Sequence, residues 1–273
     1  CLPPTVEPRA TEHIAQMISL IESLIEKGFA YAAEGHVLFR VQKDPNYGQL
    51  SRRSVKDMVA GARVEVAPYK EYAGDFVLWK PASEKDDASS KFDSPWGVGR
   101  PGWHIECSAM SIKYLNETFD IHGGGADLQF PHHENEIAQS ESYTGKQFVK
   151  YWMHNEWLLV NGKKMSKSMG NFYTLRDLME KGIEPLAYRM WLATSHYRTL
   201  TNLNMDALQG SNSALKRLCD AFKALNEADN GVVDQGYKDR FINCLDDDLN
   251  TPQAMALLWE LVKDTNISDS DKR

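Results

Sequence analysis

The run Phe119-Asp120-Ile121-His122-Gly123-Gly124-Gly125-Ala126-Asp127 constrains the fold of this chain more than any other stretch. A short strand-like segment meets three consecutive glycines, and helical spacing then resumes from His132 to Tyr143. A strand that ends in a glycine turn and feeds a helix is the building unit of a parallel α/β sheet, where ligands gather beyond the carboxyl ends of the strands. Helical periodicity follows Trp103, and Tyr151 to Val160 reads as a further strand, so an α/β unit is expected from about Gly102.

The flanking segments have a different character. Ile14, Met17, Ile18, Ile21, Leu24 and Ile25 form an apolar stripe that predicts a helix over 11–27, stopped by Gly28. Strand-like runs 29–33 and 36–41 flank Glu34-Gly35, the pattern of a β-hairpin. Phe76-Val77-Leu78-Trp79 is a short strand, and the Ser-, Asp- and Lys-rich stretch 82–95 an exposed loop. Beyond Met205 the pattern is helical. Ala214, Leu215, Leu218, Cys219, Phe222 and Leu225 share one face, and a second helix starts at Asn250-Thr251-Pro252, with Thr251 as its cap. Residues 268–273 are expected to be frayed or truncated.

Two clusters carry chemistry. His132 and Glu136 are one helical turn apart and share a face, and Cys107 lies upstream in the same unit. Thiolate, imidazole and carboxylate together make a plausible zinc set. Spacing leaves His132 and His133 interchangeable, because either can face Glu136, and a fourth ligand would come from elsewhere. Cys1 is the further thiol in question. The second cluster is Lys164-Met165-Ser166-Lys167-Ser168, followed by Met169-Gly170-Asn171. Lysine is a compact, mobile point charge, so two of them on a short Ser-rich loop can hold a polyphosphate. Thr174, with Asp177 three residues on, predicts a capped helix after this loop that closes at Gly182.

The 273 residues suffice for two or three domains, and no apolar run is long enough to cross a bilayer as a helix. A net charge of −7 excludes a broad basic surface but permits a local basic groove. Arg176, Arg189, Arg198, Lys216 and Arg217 are candidates for such a groove, each weighed against an ordinary solvated helix face. Trp152 and Trp157 read as packing residues. Four cysteines, Cys1, Cys107, Cys219 and Cys244, are too scattered for a disulfide framework and suit a reducing cytoplasm. The opening Cys1-Leu2-Pro3-Pro4, with no initiating Met, has the look of a cut into a longer protein.

With these blocks together, Trp103-His104-Ile105-Glu106-Cys107, Gly123 to Glu136 and Lys164 to Ser168, the chain resembles the cysteinyl-tRNA synthetases, which are class I aminoacyl-tRNA synthetases. The resemblance implies the second half of a Rossmann-type catalytic domain followed by an α-helical domain. Residues 1–95 would be a connective region, 96–170 the Rossmann half, 171–205 a stem-contact region, and 206–273 a truncated helical domain on the anticodon side. It further implies Cys107, His132 and Glu136 as Zn2+ ligands, Trp103 and Asp127 in the cysteine pocket, and Lys167 on the ATP phosphates. Lys164 would support the mobile loop. Cysteine, ATP, Mg2+ and tRNA(Cys) are the implied partners of a cytoplasmic monomer. The family's His-Ile-Gly-His signature and its upstream zinc-binding Cys have no counterpart in these residues. Three other readings share part of the pattern: a sister ligase that joins cysteine to an amino sugar, a non-catalytic tRNA- or cysteine-binding paralogue, and a structural zinc module.

Overall fold

A computed structural model describes residues 2–54, 67–225 and 231–272, so Cys1 lies outside the described residues. The chain divides by packing into two compact units, Cys1–His154 and Asn155–Arg273.

The first unit begins with a 3-10 turn, Ala10–Glu12, and helix α1, Ile14–Glu26, which buries Met17, Leu20, Ile21 and Leu24 as its apolar stripe predicts. Strands β1 (Ala30–Ala33) and β2 (His36–Phe39) form the expected antiparallel hairpin, with Ala33 opposite His36. Both turn residues, Glu34 and Gly35, take positive φ, as a two-residue hairpin turn matched to strand twist requires. Strand β3 (Phe76–Pro81) pairs antiparallel with β2, and β4 (Gly99–Pro101) pairs antiparallel with β3, completing a four-stranded sheet. The loop between β3 and β4 carries a 3-10 turn, Ala88–Ser90. Packed against the sheet, the stripe of α1 meets Val37, Phe39, Leu78, Trp79, Ile105, Ala109 and Ala138 in the main core.

From β4 the chain enters helix α2 (Trp103–Leu115), then strand β5 (Phe119–Gly125), a π-type turn (Gln129–His133), helix α3 (Glu134–Thr144) and strand β6 (Val149–Asn155). β5 and β6 are sheet neighbours. Here the structure corrects three expectations. The glycines expected to form the turn, Gly123–Gly125, are the last residues of β5, and the turn follows them at 126–128. The helix expected from His132 begins at Glu134, with His132 and His133 in the turn that delivers it. The single strand expected over Tyr151–Val160 is two, β6 and β7 (Leu158–Val160), because Glu156 and Trp157 leave the ladder between them. Glu156 N–H donates instead to the Tyr197 carbonyl, and β7 finds new partners.

In the second unit β7 pairs antiparallel with β8 (Lys163–Lys164) and parallel with β9 (Thr201–Leu203). Helices follow: α4 (Leu175–Glu180), α5 (Pro185–Ala193), α6 (Met205–Ala224), α7 (Gln235–Asp246), α8 (Thr251–Lys263) and α9 (Asp269–Lys272). Thr174 and Asp177 form the predicted capping box before α4. α8 is capped by Asn250 rather than Thr251: the Asn250 side-chain oxygen accepts from Gln253 N–H, which puts Thr251 and Pro252 inside the first turn. Residues 269–272 are helical rather than frayed, with Ser268 Oγ accepting from Asp271 N–H. The described residues from 205 onward are helical as expected, and Val160, Leu178, Ile183, Leu203 and Leu208 form this unit's own core. No described helix is long and apolar enough to cross a membrane.

Gly102 joins β4 to α2. Its N–H donates to the Leu78 carbonyl, and a Cβ there would stand 2.2 Å from the Val77 carbonyl oxygen. Backbone on one side and a packed core on the other leave no room to yield. Gly102→Ala is expected to lower stability by about 2 kcal/mol, read as an earlier urea midpoint. An unchanged midpoint would show that the strand edge can move.

Candidate metal centre and lysine loop

Cys107 sits in the second turn of α2, His132 in the π-type turn, and Glu136 in the first turn of α3. One ligand atom from each converges so that all three lie within 4.8 Å of one another. His132 Nε2 is 3.1 Å from Glu136 Oε1, with His122 Nε2 at 3.5 Å and His133 Nε2 at 4.0 Å. Glu136 is wholly buried, and neither of its oxygens accepts a hydrogen bond. A buried carboxylate without a hydrogen-bond donor costs several kcal/mol, which makes it a strong sign of a missing cation. The donor types, one soft sulfur, one imidazole and one carboxylate, fit zinc. The ambiguity left by spacing is resolved by geometry: Cys107 groups with His132 and not with His133.

Neighbours set the orientation of these groups. His132 Nδ1 lies 2.8 Å from His104 Nδ1, which leaves Nε2 turned to Glu136. The Trp103 ring packs on His132 with centroids 4.1 Å apart and is itself 57% exposed, open to a ligand. Burial, aided by the nearby His132, pulls the His104 imidazole down to about 4. Burial, with Glu136 and Glu106 adding repulsion, pushes the Cys107 thiol up to about 12 without a metal. A metal ion reverses that balance by favouring the thiolate.

Helices α2 and α3 are braced beside the ligands. Gln139 Nε2 donates to Ser108 Oγ at 2.9 Å, and Ser108 Oγ reaches the Glu136 carbonyl at 3.4 Å, all fully buried. The Glu134 carboxylate accepts from the N–H groups of Gly48, Leu50 and Ser51, and Tyr47 OH donates to Asn135 Oδ1. Asp127 is exposed on the turn after β5, its Oδ1 close to Gly125. Trp152 packs among His122, His133 and Phe148, as a core residue should.

Lys164 and Lys167 belong to the second unit and are exposed. Lys164 ends β8 with its ammonium 4.9 Å from the Trp157 ring centroid, and Lys167 opens a 3-10 turn with its ammonium 5.5 Å from that of Phe172. These are weak cation–π contacts that a phosphate can replace. Asn171 latches the loop: its Oδ1 accepts from Ser166 N–H and its Nδ2 donates to the Lys164 carbonyl. Of the basic candidates, Arg198 is engaged by Asp248 and Arg217 lies over Trp259.

A glycine-turned α/β unit with a buried thiol–imidazole–carboxylate set and a separate Lys-Met-Ser-Lys-Ser loop is the pattern of a class I tRNA synthetase. Family comparison agrees: residues 1–213 match "tRNA synthetases class I (C) catalytic domain", and residues 240–272 match "DALR domain". The chain belongs to the class I (C) tRNA synthetase catalytic-domain family. Curated relatives include "Cysteine--tRNA ligase" of Paramagnetospirillum magneticum, 55% identical over all of this chain and 60% of that protein. The same-named protein of Ehrlichia ruminantium is 49% identical over the same shares, and that of Rhodospirillum rubrum 53% identical over 96% of this chain and 56% of the relative. The chain thus spans about 60% of the relatives' length.

Sequence reasoning missed Glu134, Asn135, Gln139, Ser108 and Asn171. A polar run such as Glu134-Asn135-Glu136 reads as solvent-facing until the partners that bury it are known. For Asn171 the open signal is its place just after the glycine that closes the lysine loop. Its two hydrogen bonds are worth about 1 kcal/mol each, so Asn171→Ala is expected to raise loop opening by about tenfold or more. Trypsin cleavage after Lys164 or Lys167 should accelerate accordingly, with the global unfolding midpoint unmoved. Equal cleavage rates would exclude the latch.

Proposed function

We propose that the full-length protein activates cysteine with ATP as a cysteinyl-adenylate and transfers it to tRNA(Cys). The observation that carries this reading is the buried Glu136 carboxylate, without a hydrogen bond and gathered with Cys107 and His132, in a chain whose curated relatives bear the name cysteine–tRNA ligase. Cys107, His132 and Glu136 would hold Zn2+. It would supply a borderline-soft Lewis acid with affinity for the cysteine sulfur, an atom serine lacks. A pocket that reads shape alone separates such near-isosteric pairs by only about a hundredfold, so an atom-specific contact removes the need for a separate editing site.

The remaining roles fall to this chain's own side chains. Trp103 presents its exposed ring face as the wall of the cysteine pocket, and the Asp127 carboxylate takes the substrate ammonium. Adenylate formation builds negative charge on the α-phosphate and the departing pyrophosphate, and Lys167 answers it with a fixed positive charge. Lys164 supports the loop, and Mg2+ accompanies the ATP. Residues 171–205 meet the tRNA stem, and the helical region from 206 lies on its anticodon side. The protein works as a cytoplasmic monomer.

In the full-length protein, Cys107→Ser is expected to lower zinc content and cysteine activation together. Full zinc occupancy by elemental analysis would remove Cys107 from the ligand set. Lys167→Ala should slow cysteine-dependent pyrophosphate exchange by about 10²-fold or more while zinc stays bound, and an exchange rate equal to wild type would refute the role. Transfer of cysteine to a glucosamine-based acceptor and not to tRNA would assign the sister ligase instead.

A further inference from the structure

Glu136 lies at the meeting point of two donor sets. Besides Cys107 and His132, the side chains of His122 and His133 present nitrogen atoms to it, and the ligand atoms of His122, His133 and Glu136 also lie within 4.8 Å of one another. The sets share the carboxylate and no other residue. Two ligands bound to one ion at about 2.0–2.1 Å in tetrahedral geometry stand about 3.4 Å apart. His122 Nε2 is 3.5 Å from Glu136 Oε1 and His133 Nε2 is 4.0 Å, so the first fits without movement and the second with a shift of about half an ångström.

The surroundings prepare this second set as they prepare the first. His133 Nδ1 lies 2.7 Å from His154 Nε2, which holds the ring and leaves Nε2 free toward Glu136. Gly124 makes the approach possible: a Cβ there would be 2.7 Å from His133 Cε1 and 3.0 Å from Nε2. His122 comes from β5, its ring 5.7 Å from that of Phe119 and 4.8 Å from that of Trp152, so aromatic rings flank it.

We propose that His122, His133 and Glu136 form a second station for a divalent transition-metal ion, adjoining the Cys107–His132 station and sharing Glu136 with it. The two stations differ in softness. The first offers sulfur, whereas the second offers only nitrogen and oxygen, a set suited to ions that prefer imidazole, such as Ni2+, Cu2+ and Co2+. Because the stations share a carboxylate, an ion in the second draws Glu136 away from the first, and these metals in excess oppose zinc binding. The second station stands independently of the roles given to Cys107 and His132.

Cobalt absorption separates the two stations in the 273-residue chain. The double variant Cys107→Ser/His132→Ala is expected to bind one equivalent of Co2+, giving visible d–d bands and no thiolate-to-cobalt band. Adding His122→Gln to that background should weaken binding by about tenfold or more, the scale on which even an outer partner of a metal ligand counts. Circular dichroism and the thermal midpoint check that each variant is folded. His133→Gln is the parallel variant, and His122→Gln alone decides should that one misfold. A folded double variant that binds no Co2+, or a triple variant that binds as tightly as the double, would overturn the proposal. A thiolate-to-cobalt band absent from the wild-type chain would count against the Cys107 station and leave this one standing.

Discussion

The buried carboxylate of Glu136 is the interaction on which the rest of the first unit turns. A charge placed fully out of water with no hydrogen-bond donor is unfavourable, and a fold keeps one only if something offsets it. Three imidazole nitrogens point at the same oxygen, and a thiol completes the ring of donors. Each is a metal ligand when deprotonated, and together they make the donor set on which the proposed cation site rests. Other buried polar contacts nearby make sense as the means of holding this arrangement still. Gln139 and Ser108 fix the spacing between the helix that carries Cys107 and the helix that carries Glu136.

The first turn of α3 shows how three adjacent polar residues divide this work. Glu134 gathers the N–H groups of 48–51, Asn135 receives Tyr47, and Glu136 faces the metal donors. At 100° per residue, consecutive side chains of a helix point in three different directions. The turn therefore fixes the loop of residues 47–51 through Glu134 and Asn135 while Glu136 faces Cys107 and the histidines. Its position is over-determined, as a site that must hold ligand atoms within a few tenths of an ångström requires.

How much of this could be read from the residues alone depends on the range of the interaction. The stripe of α1, the Glu34-Gly35 hairpin and the Thr174–Asp177 capping box are local, and the structure has each of them. The break between β6 and β7 was hidden, because strand-like composition runs through Asn155-Glu156-Trp157 while the ladder partners change from one unit to the other. The cap of α8 falls at Asn250, one residue before Thr251, because the Asn250 side-chain oxygen accepts from Gln253 N–H. At the metal centre, one-turn spacing predicted that His132 and Glu136 meet. It could not predict that His122, from a different strand, joins them, because that contact depends on how β5 packs on the turn.

Glycine is what allows imidazoles to be stacked so closely around one carboxylate. The site has five histidines in sequence-distant places: His104 on α2, His122 on β5, His132 and His133 on the turn, and His154 on β6. Each ring occupies one side of a small volume, and two are held through a second nitrogen by a neighbouring ring. A side chain at position 124 would fill the space that the His133 edge needs. The triple-glycine run thus acts twice. It forms the end of the strand that carries His122, and by leaving out a single methyl-sized group at position 124 it lets His133 approach Glu136. Fold and chemistry meet at that omission, which is why the stretch that most constrains the architecture is also the one beside which the ligand atoms converge.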